Sequence, residues 1–258
     1  MNHGLLLNLG CGVRVHPAWR NFDLIPQLPG VIPLDIRAPL PFASGSAAAV
    51  YHSHVLEHLD RPVAARFVAE CRRVLQPGGV LRIAVPDLEG ICRSYLAAIA
   101  AVDEGRPGAI DEHAWAQIEL LDQCVRTVPG GEMLTWWAAD KVRAEALVER
   151  RMGREFRDFR DGLEAQIRAT GKRPAWIDQR PTVNSPEGET RFRMTGEIHR
   201  WMYDRISLAE LLRQAGFGSS RVRGPLESAI PGWAGYELDA DAGGRPRKPD
   251  SLYIEAAA

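Results

Sequence analysis

The 258-residue sequence is short of several features that would narrow its function at once. Its net charge is only −1, from 32 basic and 33 acidic side chains, so no electrostatic field favours nucleic acid or an anionic membrane as the main partner. Its four cysteines, Cys11, Cys71, Cys92 and Cys124, include no CxxC pair, which removes a disulfide framework and the common zinc spacings. No apolar run approaches the roughly 18 residues of a membrane span, and the start MNHGLLLNLG lacks the charged-then-apolar pattern of a secretory signal. A reduced, cytoplasmic protein acting on a small molecule or a neutral polymer is the expectation. With 45% hydrophobic residues the chain can bury a sizeable core unaided, as one large domain or one domain with an insertion.

What is there begins with Leu5-Leu-Leu-Asn-Leu9 running into Gly10-Cys-Gly12, the pattern of a buried strand entering a glycine loop. Short apolar strings follow at Asn21–Leu24, Val31–Asp35 and Ala47–Tyr51, each stopped by a polar residue. Between Arg66 and Leu75 the apolar residues Phe67, Val68, Cys71, Val74 and Leu75 recur at helical spacing, and Pro77-Gly-Gly79 predicts the helix end. Val80–Val85, closed by Pro86-Asp87, predicts the next strand. Strand, helix, turn and strand make a βαβ series, and such sheets bind ligands at the carboxyl ends of their strands.

From about Leu88 to Thr195 the composition shifts to long segments rich in Ala, Arg and Glu, which predicts three or four helices inserted into the α/β domain. Ile206–Gly216 predicts a returning helix with Ser207 as N-cap and Glu210 as its capping-box partner. Ser219–Arg223 and Ser251–Glu255 read as the last two strands. The expected organisation is an α/β domain of residues 1–90 and 196–258, with residues 91–195 as a helical cap that would bind the acceptor.

A lone Gly-x-Gly is explained equally by a tight turn that needs positive φ. Its context is the strand before it and two acids, Asp23 and Asp35, that close later strands. A dinucleotide site would want a third glycine and an acid about 20 residues on. Here Asp23 follows Gly12 by only eleven residues and the third glycine is missing, so NAD fits poorly. A nucleoside cofactor without phosphates needs close backbone approach at the glycines, a carboxylate for ribose hydroxyls and an acceptor for an adenine amine.

On these residues the chain resembles the class I S-adenosylmethionine-dependent methyltransferases, in particular a small bacterial, type 11-like group. The matching segments are LNLGCG (Leu7–Gly12), Trp19-Arg-Asn-Phe-Asp23, Asp35 with Leu40-Pro-Phe42, His54-Val-Leu-Glu-His58, Arg73-Val-Leu-Gln-Pro-Gly-Gly79 and Val85-Pro-Asp87. The resemblance covers roughly residues 5–90 and 196–217. It implies a Rossmann-like, doubly wound, mostly parallel sheet with an antiparallel last strand and S-adenosylmethionine as cofactor. Gly10, Cys11 and Gly12 would face its methionyl part, Asp23 with Leu24 its ribose, and Asp35 with Ile36 its adenine. Two departures stand out: Asn8 occupies a position usually acidic, and the helix that normally follows the loop is reduced to a turn containing Pro17. Asn8 would hold the ligand's ammonium through its amide oxygen, with Arg14 as a possible partner of the carboxylate.

Tyr51-His-Ser-His-Val-Leu-Glu-His-Leu-Asp60 packs three of the seven histidines into seven positions. Against the HxHxDH run of binuclear metal hydrolases its third histidine falls one place late, and further ligands would have to come from His3, His16, His113 or His199, so no metal is expected. His52 and His58 read as polar residues of a strand-to-helix turn. Ser53 and His54 would lie beside the cofactor's sulfonium end. Enzymes that methylate nucleobase amines resemble one another in an Asn/Asp-Pro-Pro-aromatic tetrad at this turn, which is absent. An O-methyl transfer to a small molecule or saccharide is the expected reaction, with His199 or Asp87 as the base. A non-catalytic protein that keeps the fold is the alternative.

Overall fold

The computed structural model describes residues 4–178 and 185–258; His3 lies outside them. In chain order the strands are β1 (Leu5–Leu9), β2 (Arg20–Asp23), β3 (Ile32–Pro33), β4 (Ala47–Ser53), β5 (Leu75–Pro86), β6 (Ser220–Arg223) and β7 (Ser251–Ala257). The helices are α1 (Arg61–Val74), α2 (Leu88–Asp103), α3 (Ala109–Val125), α4 (Gly131–Trp137), α5 (Glu145–Met152), α6 (Arg154–Thr170), α7 (Ala175–Asp178), α8 (Pro186–Arg193) and α9 (Arg205–Gln214). They fall into two compact units: Met1–Asp87 with Arg200–Pro246 and Ser251–Ala258, and Leu88–His199 with Arg247–Asp250.

The first unit holds one seven-stranded sheet in the order β3-β2-β1-β4-β5-β7-β6. All neighbours on the β3-to-β5 side pair in parallel, whereas β7 runs antiparallel to both β5 and β6. This is the mostly parallel, Rossmann-like sheet with an antiparallel last strand. Strand order reverses between β1 and β4, and a crevice opens at such a switch point beyond the carboxyl ends of the strands.

Side-chain alternation divides the strands between two cores. Leu7, Leu9, Val50, Leu81, Ile83 and Ile254 point to the face covered by α1 and α9, where they meet Phe67, Val68, Leu208 and Leu212. Leu6, Ala49, Tyr51 and Val80 point the other way, onto Trp19, Ile230, Trp233 and Leu238. In this unit that second layer is not a pair of helices but the irregular stretch after β6, and an ionic knot holds it down. Arg82, fully buried on β5, donates from Nε to Asp239 (2.7 Å) and from Nη1 to Glu255 (2.9 Å) and the Glu227 carbonyl (2.8 Å). Its guanidinium lies 4.4 Å over the Trp233 ring. Tyr51 donates to Asp239 at 2.6 Å. A guanidinium taken out of water needs such partners at every donor.

Several boundaries differ from those read in the sequence. Helix α1 begins at Arg61, six residues before Phe67 opens the apolar stripe, because Pro62 is tolerated in a first turn that leaves its backbone donors unused. It ends at Val74, and Pro77-Gly-Gly79 lies within β5 itself. The cap of α9 is Asp204, which accepts from the Ile206 and Ser207 amides, so Ser207 is the reciprocal partner of the capping box and not the N-cap. Glu210 bonds Arg213 instead. In the helical unit Trp115, Trp136 and Trp137 are core, packed with Met133, Val148 and Phe156, while Trp176 is exposed. The Arg154–Asp158 pair on α6 forms at 3.3 Å, but Arg157 turns to Glu149 at 2.7 Å and not to Asp161. Among the described residues no helix is long and apolar enough to cross a membrane.

Candidate active site

The β1–β2 connection shows how an α/β unit can dispense with a helix after its first strand. Gly10 and Cys11 both donate to the Phe22 carbonyl (2.8 and 2.9 Å), which folds the glycine loop back against the end of β2. Gly10 sits at φ +70°, and a Cβ there would stand 2.4 Å from Val55 Cγ2, so only glycine lets the loop come this close to the turn after β4. The rest of the loop is pinned by two asparagines. Asn8 Nδ2 donates to the Arg14 carbonyl (2.8 Å) and to Asn21 Oδ1 (2.9 Å), while Asn21 Nδ2 donates to the carbonyls of His16 (3.1 Å) and Trp19 (2.8 Å). Side-chain amides thus satisfy the backbone groups that a helix would have satisfied internally. Asn8, buried at the end of β1, therefore has a structural task that an Asp could not perform, because both of its bonds are donations from the amide nitrogen.

Asp23 closes β2 against this loop. Its Oδ2 accepts the Gly12 amide at 2.8 Å and its Oδ1 the Ile25 amide at 3.1 Å. An ionised carboxylate has about four lone-pair sites, so two remain for hydroxyl donors. Gly12 is at φ +52°, and a Cβ there would meet nothing within 4 Å: the space beside it is open. Leu24 and Ile25 follow on the surface, 51% and 68% exposed, a patch on which an aromatic ring could lie. Cys11, by contrast, is buried and donates to the Gly12 carbonyl, and burial pushes its thiol up to about 11, so it stays protonated and unreactive. Asp35 is exposed and gripped by Arg37 through two bonds of 2.8 Å, which lower its carboxyl below the usual range; Ile36 behind it packs on the main core. A carboxylate two hydrogen bonds short of saturation, an open glycine edge and an apolar shelf fit the ribose, methionyl and adenine parts of S-adenosylmethionine.

The turn after β4 separates its three histidines. His52 is wholly buried beside Phe67, 5.1 Å between ring centroids, and burial alone pushes it down to about 3, so it is a neutral core residue. Ser53, half-buried, ends β4 opposite Ala84. His54 is one of three non-glycine residues with positive φ among those described, at +53°, a conformation that costs about 1–3 kcal/mol and is held here by its amide bond to the Ala84 carbonyl (2.9 Å). Its Nε2 lies 2.8 Å from Ser251 Oγ and its Nδ1 3.3 Å from Glu57 Oε1. Glu57, in the short 3₁₀ turn Leu56–His58, is fully buried.

Of the two expected bases, Asp87 is half-buried directly after β5 and forms a backbone bridge with Tyr203. His199 is 4% exposed in the helical unit, where its amide donates to the Gln123 carbonyl at 2.8 Å. The sequence thus brings Asn8, the glycine loop, Asp23, Ser53, His54 and Asp87 to one edge of one unit. Two neighbours of His54 are not among the expected site residues: Glu57, although its i, i+3 spacing from His54 is visible in the sequence, and Ser251, which reaches His54 from 197 residues away.

Residues 18–83 match the family model described as a methyltransferase domain. Among solved structures the chain is similar to an S-adenosylmethionine-dependent methyltransferase from Mesorhizobium loti, with 15% identity, 99% of this chain and 91% of that one covered, and a TM-score of 0.41. It is likewise similar to a methyltransferase with the same cofactor from Archaeoglobus fulgidus (11% identity, 100% and 87% covered, TM-score 0.42). A third, from Thermotoga maritima, is described as a possible histamine N-methyltransferase (12% identity, 100% and 83% covered, TM-score 0.38). No curated protein sequence matches the chain.

Proposed function

We propose that this chain, a class I S-adenosylmethionine-dependent methyltransferase by its matched domain and its sheet, transfers the methyl group to a hydroxyl of a small molecule or saccharide. The observation that carries the cofactor half is the Asp23 carboxylate, fixed by the Gly12 amide at the switch point of the sheet with room left for two hydroxyls. When bound, the cofactor supplies an electrophilic methyl on a cationic sulfur. The protein's own residues then have three tasks: to hold the adenosyl part along Asp23, Leu24 and Asp35, to line up the acceptor oxygen behind the methyl, and to exclude water. Alignment of that kind is worth several powers of ten in rate without any covalent step on the enzyme.

A hydroxyl acceptor must also lose a proton, and the carboxyl edge of the sheet offers proton-accepting side chains in Asp87 and His54. Burial of His199 makes it the weaker candidate of the two expected bases. The helical unit would select the acceptor. A non-catalytic role leaned on Asn8 and on the missing helix, both of which serve to build the glycine loop.

Incubation with methyl-tritiated S-adenosylmethionine and the low-mass fraction of a cell extract, with monosaccharides and phenols in parallel, tests the acceptor class. Label is expected in a low-mass product that nuclear magnetic resonance identifies as a methyl ether. Label found on amine nitrogen, or only on protein or nucleic acid, would contradict it.

A further inference from the structure

We propose that Ser251, His54 and Glu57 form a proton relay for the acceptor, with the Ser251 hydroxyl at its open end; this rests on the methyltransferase reading above. His54 Nε2 lies 2.8 Å from Ser251 Oγ, within hydrogen-bond reach, and Nδ1 stands 3.3 Å from Glu57 Oε1, close enough for the charge of the acid to act on the ring. A neutral imidazole has one N–H and one lone pair, and a carboxylate can only accept. With the Glu57 carboxyl beside Nδ1, the relay uses the Nδ1–H tautomer, whose proton faces the acid and whose Nε2 lone pair faces the serine hydroxyl. The same logic orients the histidine of a nucleophile–histidine–acid array, where the acid holds the ring and stabilises its charged form.

The location matches the task. His54 follows the carboxyl end of β4, its neighbour Val55 presses on Gly10 of the cofactor loop, and its ring reaches past β5 to the first residue of the antiparallel strand β7. Ser251 pairs in register with Pro86, one residue before Asp87, so the serine stands at the same strand ends. A left-handed backbone at His54 aims the ring this way, and the sequence keeps histidine there where glycine would relieve the strain.

In the transfer, the acceptor oxygen forms a bond to the methyl carbon as the carbon–sulfur bond breaks and its electron pair stays on sulfur. The acceptor's proton passes to Ser251 Oγ, and the serine's own proton passes to Nε2. The positive charge leaves the sulfonium and reappears on an imidazolium paired with Glu57, so the total charge is unchanged. Around the relay stand His58, with Nε2 4.0 Å from Glu57 Oε1, and Tyr203, whose hydroxyl is raised to about 12 by burial first and by the charge of Glu57 second, with Arg61 opposing. Asp87 lies beyond Pro86, and Asp250, next to Ser251 in the chain, is raised to about 6 by burial.

The relay can be tested without knowing the acceptor. In a Ser251→Cys chain a competent relay draws the thiol proton onto His54, so alkylation by iodoacetamide, followed at the residue-251 peptide by mass spectrometry, should level off at least about one pH unit below the roughly 8.5 of an ordinary thiol. Adding His54→Gln should return the profile to that of an ordinary thiol, and adding Glu57→Gln should shift it part of the way. An ordinary profile in Ser251→Cys, or one indifferent to His54→Gln, would overturn the relay. Nitrogen-15 spectra of the unsubstituted chain give a second readout: a protonated Nδ1 and bare Nε2 are expected at His54 at pH 8, and the opposite tautomer would overturn it. Calorimetric titration of the Ser251→Cys chain with S-adenosylmethionine separates the two levels. An activated thiol without cofactor binding removes the methyltransferase reading, whereas binding with an ordinary thiol removes the relay alone.

Discussion

Single residues of the YHSHVLEHLD turn carry different physics although they are close in sequence. His52 is neutral because it is buried, and its folded value of about 3 lies below the unfolded value near 6.5. The unfolded chain therefore gains a proton that the folded chain refuses, so this residue's contribution is intact above pH 6.5 and is lost as pH falls, at about 1.4 kcal/mol per unit. Between pH 7 and pH 5 that amounts to about 2 kcal/mol. Urea unfolding of His52→Leu at the two pH values is expected to show a decline smaller than that of the unsubstituted chain by this amount; equal declines would mean that His52 is not the buried neutral group. His54, two residues on, has its Nε2 2.8 Å from Ser251 Oγ and its Nδ1 3.3 Å from Glu57 Oε1, with its ring at the strand ends. Alternation along a strand places His52 and His54 on one side, and it is the left-handed backbone at His54 that parts them; the partner at Ser251 was not legible, since nothing local in a sequence links residues so far apart.

At the scale of elements, the stretch from Gly10 to Trp19 is the informative case. The sequence shows that no ordinary helix follows β1, and that absence looks like a lost function. Asn8 and Asn21 give another account: their amides take up the carbonyls of Arg14, His16 and Trp19, and the loop is as well bonded as a helix turn. Removing both Asn21 donations at once, in Asn21→Ala, is expected to cost about 1–3 kcal/mol of stability in urea unfolding. Because the same stretch carries Gly12 to Asp23, S-adenosylmethionine affinity should fall by about tenfold, or about 1.4 kcal/mol. Unchanged affinity would show that the loop is set by the glycines alone. Helix boundaries were less legible than helix positions, because apolar periodicity marks the buried face and says little about where the first turn begins. Both α1, which starts at Arg61, and α9, capped by Asp204, begin ahead of their apolar stripes for that reason.

For the whole molecule, alternation, strand order and the motif series were enough to foresee a mostly parallel sheet with a helical insertion. The second layer of the sheet was not foreseen. Its cohesion depends on Arg82 meeting Asp239 and Glu255 from 157 and 173 residues away, and a loop rich in Gly, Pro and Asp gave no periodicity to read. Local geometry was legible where a glycine loop meets a strand-end acid, as at Gly10, Gly12 and Asp23, and illegible where a contact depends on strands meeting late, as at Ser251. Everything proposed for the acceptor stands on the glycine loop and Asp23 holding the cofactor. Calorimetric titration with S-adenosylmethionine and S-adenosylhomocysteine tests that most directly. Both ligands should bind the unsubstituted chain, and Asp23→Ala should weaken both by about tenfold or more, the loss of a charged hydrogen-bond acceptor at ribose. Failure of either ligand to bind at high micromolar concentration, or an Asp23→Ala chain that binds as well as the unsubstituted one, would contradict it.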